Sequence, residues 1–81
     1  MIVASAVRRD GRVWTGQQHS ECIRKAVADG CTPPIVGREQ GFVTSIGTFV
    51  DRRLAYKLAL FHGQIEPKGG DRPELFSEDL W

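Results

Sequence analysis

The alternation of apolar and polar positions is most informative over Gln40–Gln64. Phe42-Val43-Thr44 and Thr48-Phe49-Val50 are rich in β-branched and aromatic residues and flank Ser45-Ile46-Gly47, a connection whose glycine suits the left-handed position of a bulged turn. That register pairs Thr44 with Thr48, Val43 with Phe49 and Phe42 with Val50. The period then lengthens: Leu54, Ala55, Leu58 and Ala59 recur at helical spacing, Asp51 stands where an N-cap belongs, and Gly63 ends the helix. Earlier in the chain, Ile2–Val7 reads as a strand, Asp10-Gly11 as a two-residue turn, and Arg12–Thr15 as the returning strand, with Arg9 opposite Arg12 and Val7 opposite Trp14. A helix of about ten residues follows, with Cys22, Ile23, Ala26 and Val27 on its apolar face and Gly30 as its left-handed cap. Thr32-Pro33-Pro34 is a rigid connector into the second hairpin.

After Gly63 the pattern breaks. Glu66–Pro73 is a Pro/Gly-rich loop bracketing Lys68 and Arg72, and Leu75–Trp81 ends on more apolar surface than a solvated tail carries, so it should dock on the body or on another subunit. The expected fold class is α+β: one domain, with a small antiparallel sheet of two hairpins covered by two helices. A core of 81 residues is marginal. With Trp14, Phe76, Leu80 and Trp81 all needing cover, a homo-oligomer is expected.

Eleven Lys plus Arg against ten Asp plus Glu give a formal charge of +1, so no overall basic field points to duplex nucleic acid and any attraction for anions is local. No apolar run reaches the length of a membrane span, and the N-terminus lacks the charged region of a signal peptide, which makes the cytoplasm the expected location. Cys22 and Cys31 form neither a disulfide framework nor, with His19 and His62, a zinc pattern, and Cys22 reads as a small buried hydrophobe. No metal and no cofactor is expected. Nor does any nucleophile, base or acid pair sit at a spacing that catalysis requires.

The candidate chemistry is anion binding. Arg52 and Arg53 occupy the first turn of the second helix, where each cation opposes the macrodipole by roughly 0.3–1 kcal/mol at an exposed site. The unpaired N–H groups of a helix start, joined by two guanidinium groups, would make a phosphate site, although both could equally point into water. Gln18 and His19, at the polar start of the first helix, could offer hydrogen bonds to a ribose or phosphate, or serve structure alone. The opposed Arg9 and Arg12 either fan into water or straddle an acidic partner or ligand.

The run QGFVTSIGTFVDRR, the following GQ, the terminal LFSEDLW and the early VWTGQQHSE together resemble the phage-encoded Thoeris anti-defence family of sponge proteins, in the branch that sequesters cyclic ADP-ribose isomers. Some members resemble sponges for cyclic oligonucleotides. The resemblance covers most of the chain and implies a non-enzymatic protein that holds an immune signal of the infected bacterium in pockets between subunits of a homo-oligomer. For such a ligand the hairpin–helix unit would supply Phe42, Arg52 and Arg53, and the loop Lys68 and Arg72; Phe42 either stacks on the ligand or lies in the core. An arginine often precedes the histidine of the early motif in that family, whereas Gln18 stands there in this chain. Two other function classes remain: a phage protein that inhibits a host protein through Trp14, Phe76 and Trp81, and a hydrolase of the same signal.

Overall fold

A computed structural model describes residues 1–71 and 73–81 of the chain. Asp10 and Gly11 both take positive φ, 52° and 78°, the primed turn whose twist matches the strands it joins. β1 (Ile2–Arg9) and β2 (Arg12–Gly16) therefore pair in the expected register, with β1 extending two residues past Val7 because so tight a turn uses only Asp10 and Gly11. α1 (His19–Ala28), β3 (Gln40–Thr44), β4 (Phe49–Asp51) and α2 (Arg52–Phe61) follow. Short 3₁₀ turns precede β3, at Gly37–Glu39, and close the tail, at Ser77–Asp79. The architecture is α+β, an antiparallel sheet in the order β2-β1-β3-β4.

Paired residues share a sheet face, so the chain Val50–Phe42–Ser5 and the pair Val7–Trp14 all project to one side, and all are buried there. Both helices cover that side. Under α1 the core is Val7, Trp14, Cys22, Ala26 and Ile35; under α2 it is built on Ile2, Phe42, Val50, Tyr56 and Leu75. On the opposite side Gly41 is required by a close approach: a Cβ there would fall 2.6 Å from the ring of Phe49 and still nearer the Val50 carbonyl oxygen.

α2 starts where Asp51 Oδ1 accepts a hydrogen bond from Leu54 N at 2.8 Å, a cap worth about 1 kcal/mol. Its buried face differs from the expected one: Ala55, Tyr56 and Ala59 point inward while Leu54 is exposed. Tyr56 wins that place because the later chain packs on its side of the helix, where its hydroxyl accepts from Lys68 N at 2.8 Å. Leu75 is fully buried beneath α2, and its N–H donates to Arg52 O at 3.0 Å.

Of the two arginines facing each other across the first hairpin, Arg12 stays largely in water while Arg9 turns inward. Arg9 forms a two-pronged ion pair with Glu39, Nε to Oε2 at 2.6 Å and Nη2 to Oε1 at 2.9 Å, and also donates to the carbonyls of Thr32 and Pro34. Arg12 lies over the Trp14 ring, 3.6 Å from Asp29. Each cation thus finds its own acid, and the Arg9 fork fastens the proline connector to β1.

The Arg9 pairing, with help from Val36 N–H, holds the Glu39 carboxyl below its ordinary 4.5, at about 2. A depressed acid contributes stability that is complete above its unfolded value and drains as pH falls from 4.5 toward about 2. Acid titration of the melting temperature should show this loss, and Glu39→Gln should remove that part of the slope. Leu75→Ala should cost ~2–5 kcal/mol by urea unfolding, whereas a freely solvated tail would tolerate it unchanged.

Candidate functional site

Helical geometry places Arg52 and Arg53 at the first turn of α2, on the side where the 3₁₀ turn before β3 and the tail both approach. A cleft of about 400 Å³ forms there, lined by Gly37, Arg38, Asp51, Arg52, Arg53 and Glu74. Arg38 and Arg53 are exposed at its wall. Arg52 is half-buried and reaches back into the domain: Nη2 donates to Gln40 Oε1 at 2.6 Å. Its Nε is buried and has no hydrogen-bond partner among the described residues. Buried donors of this kind are rarely left alone, because each costs roughly 1–3 kcal/mol in lost solvation.

Beside the cleft lies the Phe76 ring, 38% of the residue exposed, with the Arg52 guanidinium carbon 5.1 Å and Lys68 Nζ 4.8 Å from its centroid. Both cations lie over one aromatic ring, whose face is negative, an arrangement that holds the ring in place while leaving part of it to solvent. The chemistry on offer is three guanidinium groups set against the carboxylates of Asp51 and Glu74, a local excess of positive charge, with an aromatic surface next to them.

The other anticipated site residues are placed elsewhere. Phe42 is fully buried under α2 with its ring edge-on to His19 at 4.9 Å; the stacking alternative is corrected, since a side chain sealed in the core has no face for a ligand. Gln18 and His19 do not face a ligand cavity either. The Gln18 amide donates to Trp81 O at 2.8 Å and accepts from the Ser77 hydroxyl at 2.9 Å. His19 is buried, Nε2 lies 2.7 Å from Gly41 O, and its backbone N–H donates to Ser77 Oγ at 3.3 Å. The tail therefore occupies the start of α1. Lys68 spends its charge inside the chain, on Asp79 and the Glu74 carbonyl. Arg72 lies outside the described residues.

Arg38, Gln40, Glu74 and Phe76 are the residues of this region that sequence reasoning did not assign to it. Arg38 and Glu74 have no signal of their own, since they are brought to α2 only by the packing of their turn and tail. Phe76 did carry one: it sits between Leu75 and Ser77, both of which point inward, so an extended tail must turn it outward.

A family model for the phage T4 y16D protein matches residues 1–81. The chain belongs to that family. No curated protein and no solved structure matches it. Membership in the y16D family makes this a phage protein. Among the described residues no helix is long and apolar enough to cross a membrane. The Cys22 thiol of this y16D-family chain is pushed up to about 11, first by burial, which makes it a poor nucleophile.

His19 carries a pH signature. Burial is the main cause that lowers its pKa from the ordinary 6.5, and Arg52 lowers it further, against the raising effect of the Gly41 carbonyl and Glu78. The stability that depends on a neutral ring is therefore fully present above 6.5 and is lost as pH falls below it. Thermal melting on both sides of that value should show the decline, and His19→Gln, which keeps a donor for Gly41 O, should flatten it. An imidazole signal titrating above 6.5 by NMR would contradict the buried neutral ring.

Proposed function

We propose that this chain is a non-catalytic binding protein that sequesters a phosphate-bearing nucleotide signal at the cleft between α2, the turn before β3 and the tail. The observation that carries the reading is the Arg52 group: a buried Nε with no partner among the described residues, beside the exposed guanidinium groups of Arg53 and Arg38, next to a part-exposed Phe76. A cleft of about 400 Å³ falls within the range of small-molecule sites. Guanidinium groups at a helix start suit a phosphate, because the fork geometry adds to the N–H groups and dipole already there. Phe76 takes over the stacking role that the sequence offered to Phe42, and a purine laid on it would place its phosphates over the arginines.

With the resemblance to anti-defence sponges, the ligand class is a cyclic ADP-ribose isomer or a related cyclic nucleotide made by the infected bacterium, held intact in the host cytoplasm so that it cannot reach its receptor. The competing reading, in which Trp14, Phe76 and Trp81 anchor a host protein, loses one of its anchors: Trp14 is buried, and its indole N–H donates to Asp29 Oδ2 at 2.7 Å.

The decisive experiment incubates the protein with a cyclic ADP-ribose isomer, measures free ligand, then denatures the protein by heat. A sponge depletes the ligand and returns it intact, a hydrolase returns product, and a protein inhibitor never depletes it. Arg53→Ala and Arg52→Ala should each weaken depletion by at least about tenfold. Phe76→Ala should weaken it with little change in melting temperature. Wild-type affinity in the Arg52→Ala protein would put the phosphate elsewhere.

A further inference from the structure

We infer that Gln40 is the positioning residue of the arginine cleft, fixing the Arg52 guanidinium through a neutral amide so that its charge is left for an anion. The role rests on the anion-binding reading of the cleft, whose wall Gln40 does not line.

Gln40 opens β3 opposite Val7 and projects, like Val7, to the helix-covered side of the sheet. Its amide has two fixed neighbours. Nε2 donates to Ile35 O at 3.0 Å, and Oε1 accepts from Arg52 Nη2 at 2.6 Å. A carbonyl can only accept and a guanidinium can only donate, so both neighbours impose the same orientation on the amide. Ile35 is itself held: it is buried under α1, and Arg9 donates to the carbonyls of Thr32 and Pro34 just before it. The guanidinium of Arg52 is thereby tied to the sheet and the proline connector, independently of its own helix.

The rest of the group is oriented by what surrounds it. Its carbon lies over the Phe76 ring at 5.1 Å, and a Cβ added at Gly37 would meet Nη1 at 3.9 Å, which puts Nη1 at the Gly37 wall of the cleft. Both contacts that fix it, an amide and a ring, are uncharged. Other anchored cations are held by acids: Arg9 by Glu39, Arg12 by Asp29, Lys25 by Glu21 and Lys68 by Asp79. Asp51 and Glu74 line the same cleft, yet Asp51 spends Oδ1 on Leu54 N–H and, among the described residues, neither forms an ion pair with Arg52. A carboxylate at position 40 would hold the guanidinium too, but it would compensate the charge and leave Ile35 O without its donor.

The test compares two variants of the full chain. Gln40→Met removes the acceptor at nearly constant volume, and Gln40→Glu keeps the acceptor while adding a charge. Calorimetry with inorganic pyrophosphate reads anion binding; NMR of the Arg52 guanidinium reads its fixation without any ligand. In wild type the two ends of the guanidinium should give separate signals, because the Gln40 bond slows its rotation. Gln40→Met should merge them and weaken pyrophosphate binding about tenfold, whereas Gln40→Glu should keep them separate and still weaken binding by about tenfold or more. Melting curves of both variants show that the fold is retained. Wild-type affinity in Gln40→Glu overturns the proposal, since the neutrality of the amide would then be irrelevant, and unchanged guanidinium signals in Gln40→Met overturn the positioning role. A wild-type chain that binds no pyrophosphate instead defeats the anion reading of the cleft, and the role of Gln40 falls with it.

Discussion

Ser77 supplies the group that closes the start of α1. Gln18, the residue in the N-cap position, makes no side-chain cap, and the first N–H groups of a helix must find partners somewhere. The Ser77 hydroxyl accepts from His19 N–H while donating to the Gln18 amide, and the Gln18 amide in turn holds the Trp81 carbonyl. Two residues upstream, Leu75 fills the space beneath α2 and donates to Arg52 O. One short stretch of chain thus runs between the beginnings of both helices. The cleft of arginines exists because that stretch carries Glu74 and Phe76 to the first turn of α2.

The local features were legible because their chemistry is local. Asp10-Gly11 and Gly47 dictate their turns, the register of both hairpins follows from counting outward, and Asp51 caps α2 as a carboxylate should. What was not legible depends on pairs far apart in sequence. Arg9 and Glu39, Gln18 and Trp81, and Lys68 and Asp79 neutralise or satisfy one another, which turned apparent ligand groups into structural ones. Phe42 was ambiguous for a physical reason: hairpin pairing with Val50 fixes its sheet face but not what lies on that face, and only the arrival of both helices decides it. A second long-range packing, that of the chain around Lys68, exchanged Leu54 for Tyr56 on the buried side of α2.

Arg52 joins the structural and functional layers. Its charge opposes the helix dipole, its Nη2 is tied to Gln40, and its guanidinium rests on Phe76, while its buried Nε has no partner among the described residues. A domain of this size has little net stability to give up. On the binding function proposed above, a cation set against the dipole at a helix start is one kept for its ligand.

The Gln18–Trp81 and His19–Ser77 bonds span 63 and 58 positions of the chain. Helix ends usually fray independently, at little cost and on their own timescale. The start of α1 lacks that freedom, because its amides are shielded by residues from the far end of the sequence. Opening there requires the tail to lift, and lifting the tail withdraws Leu75 from beneath α2 and uncovers the arginine cleft. Amide exchange at His19 should therefore report the integrity of the tail, so that the start of α1 and the last residues of the chain behave as one cooperative unit.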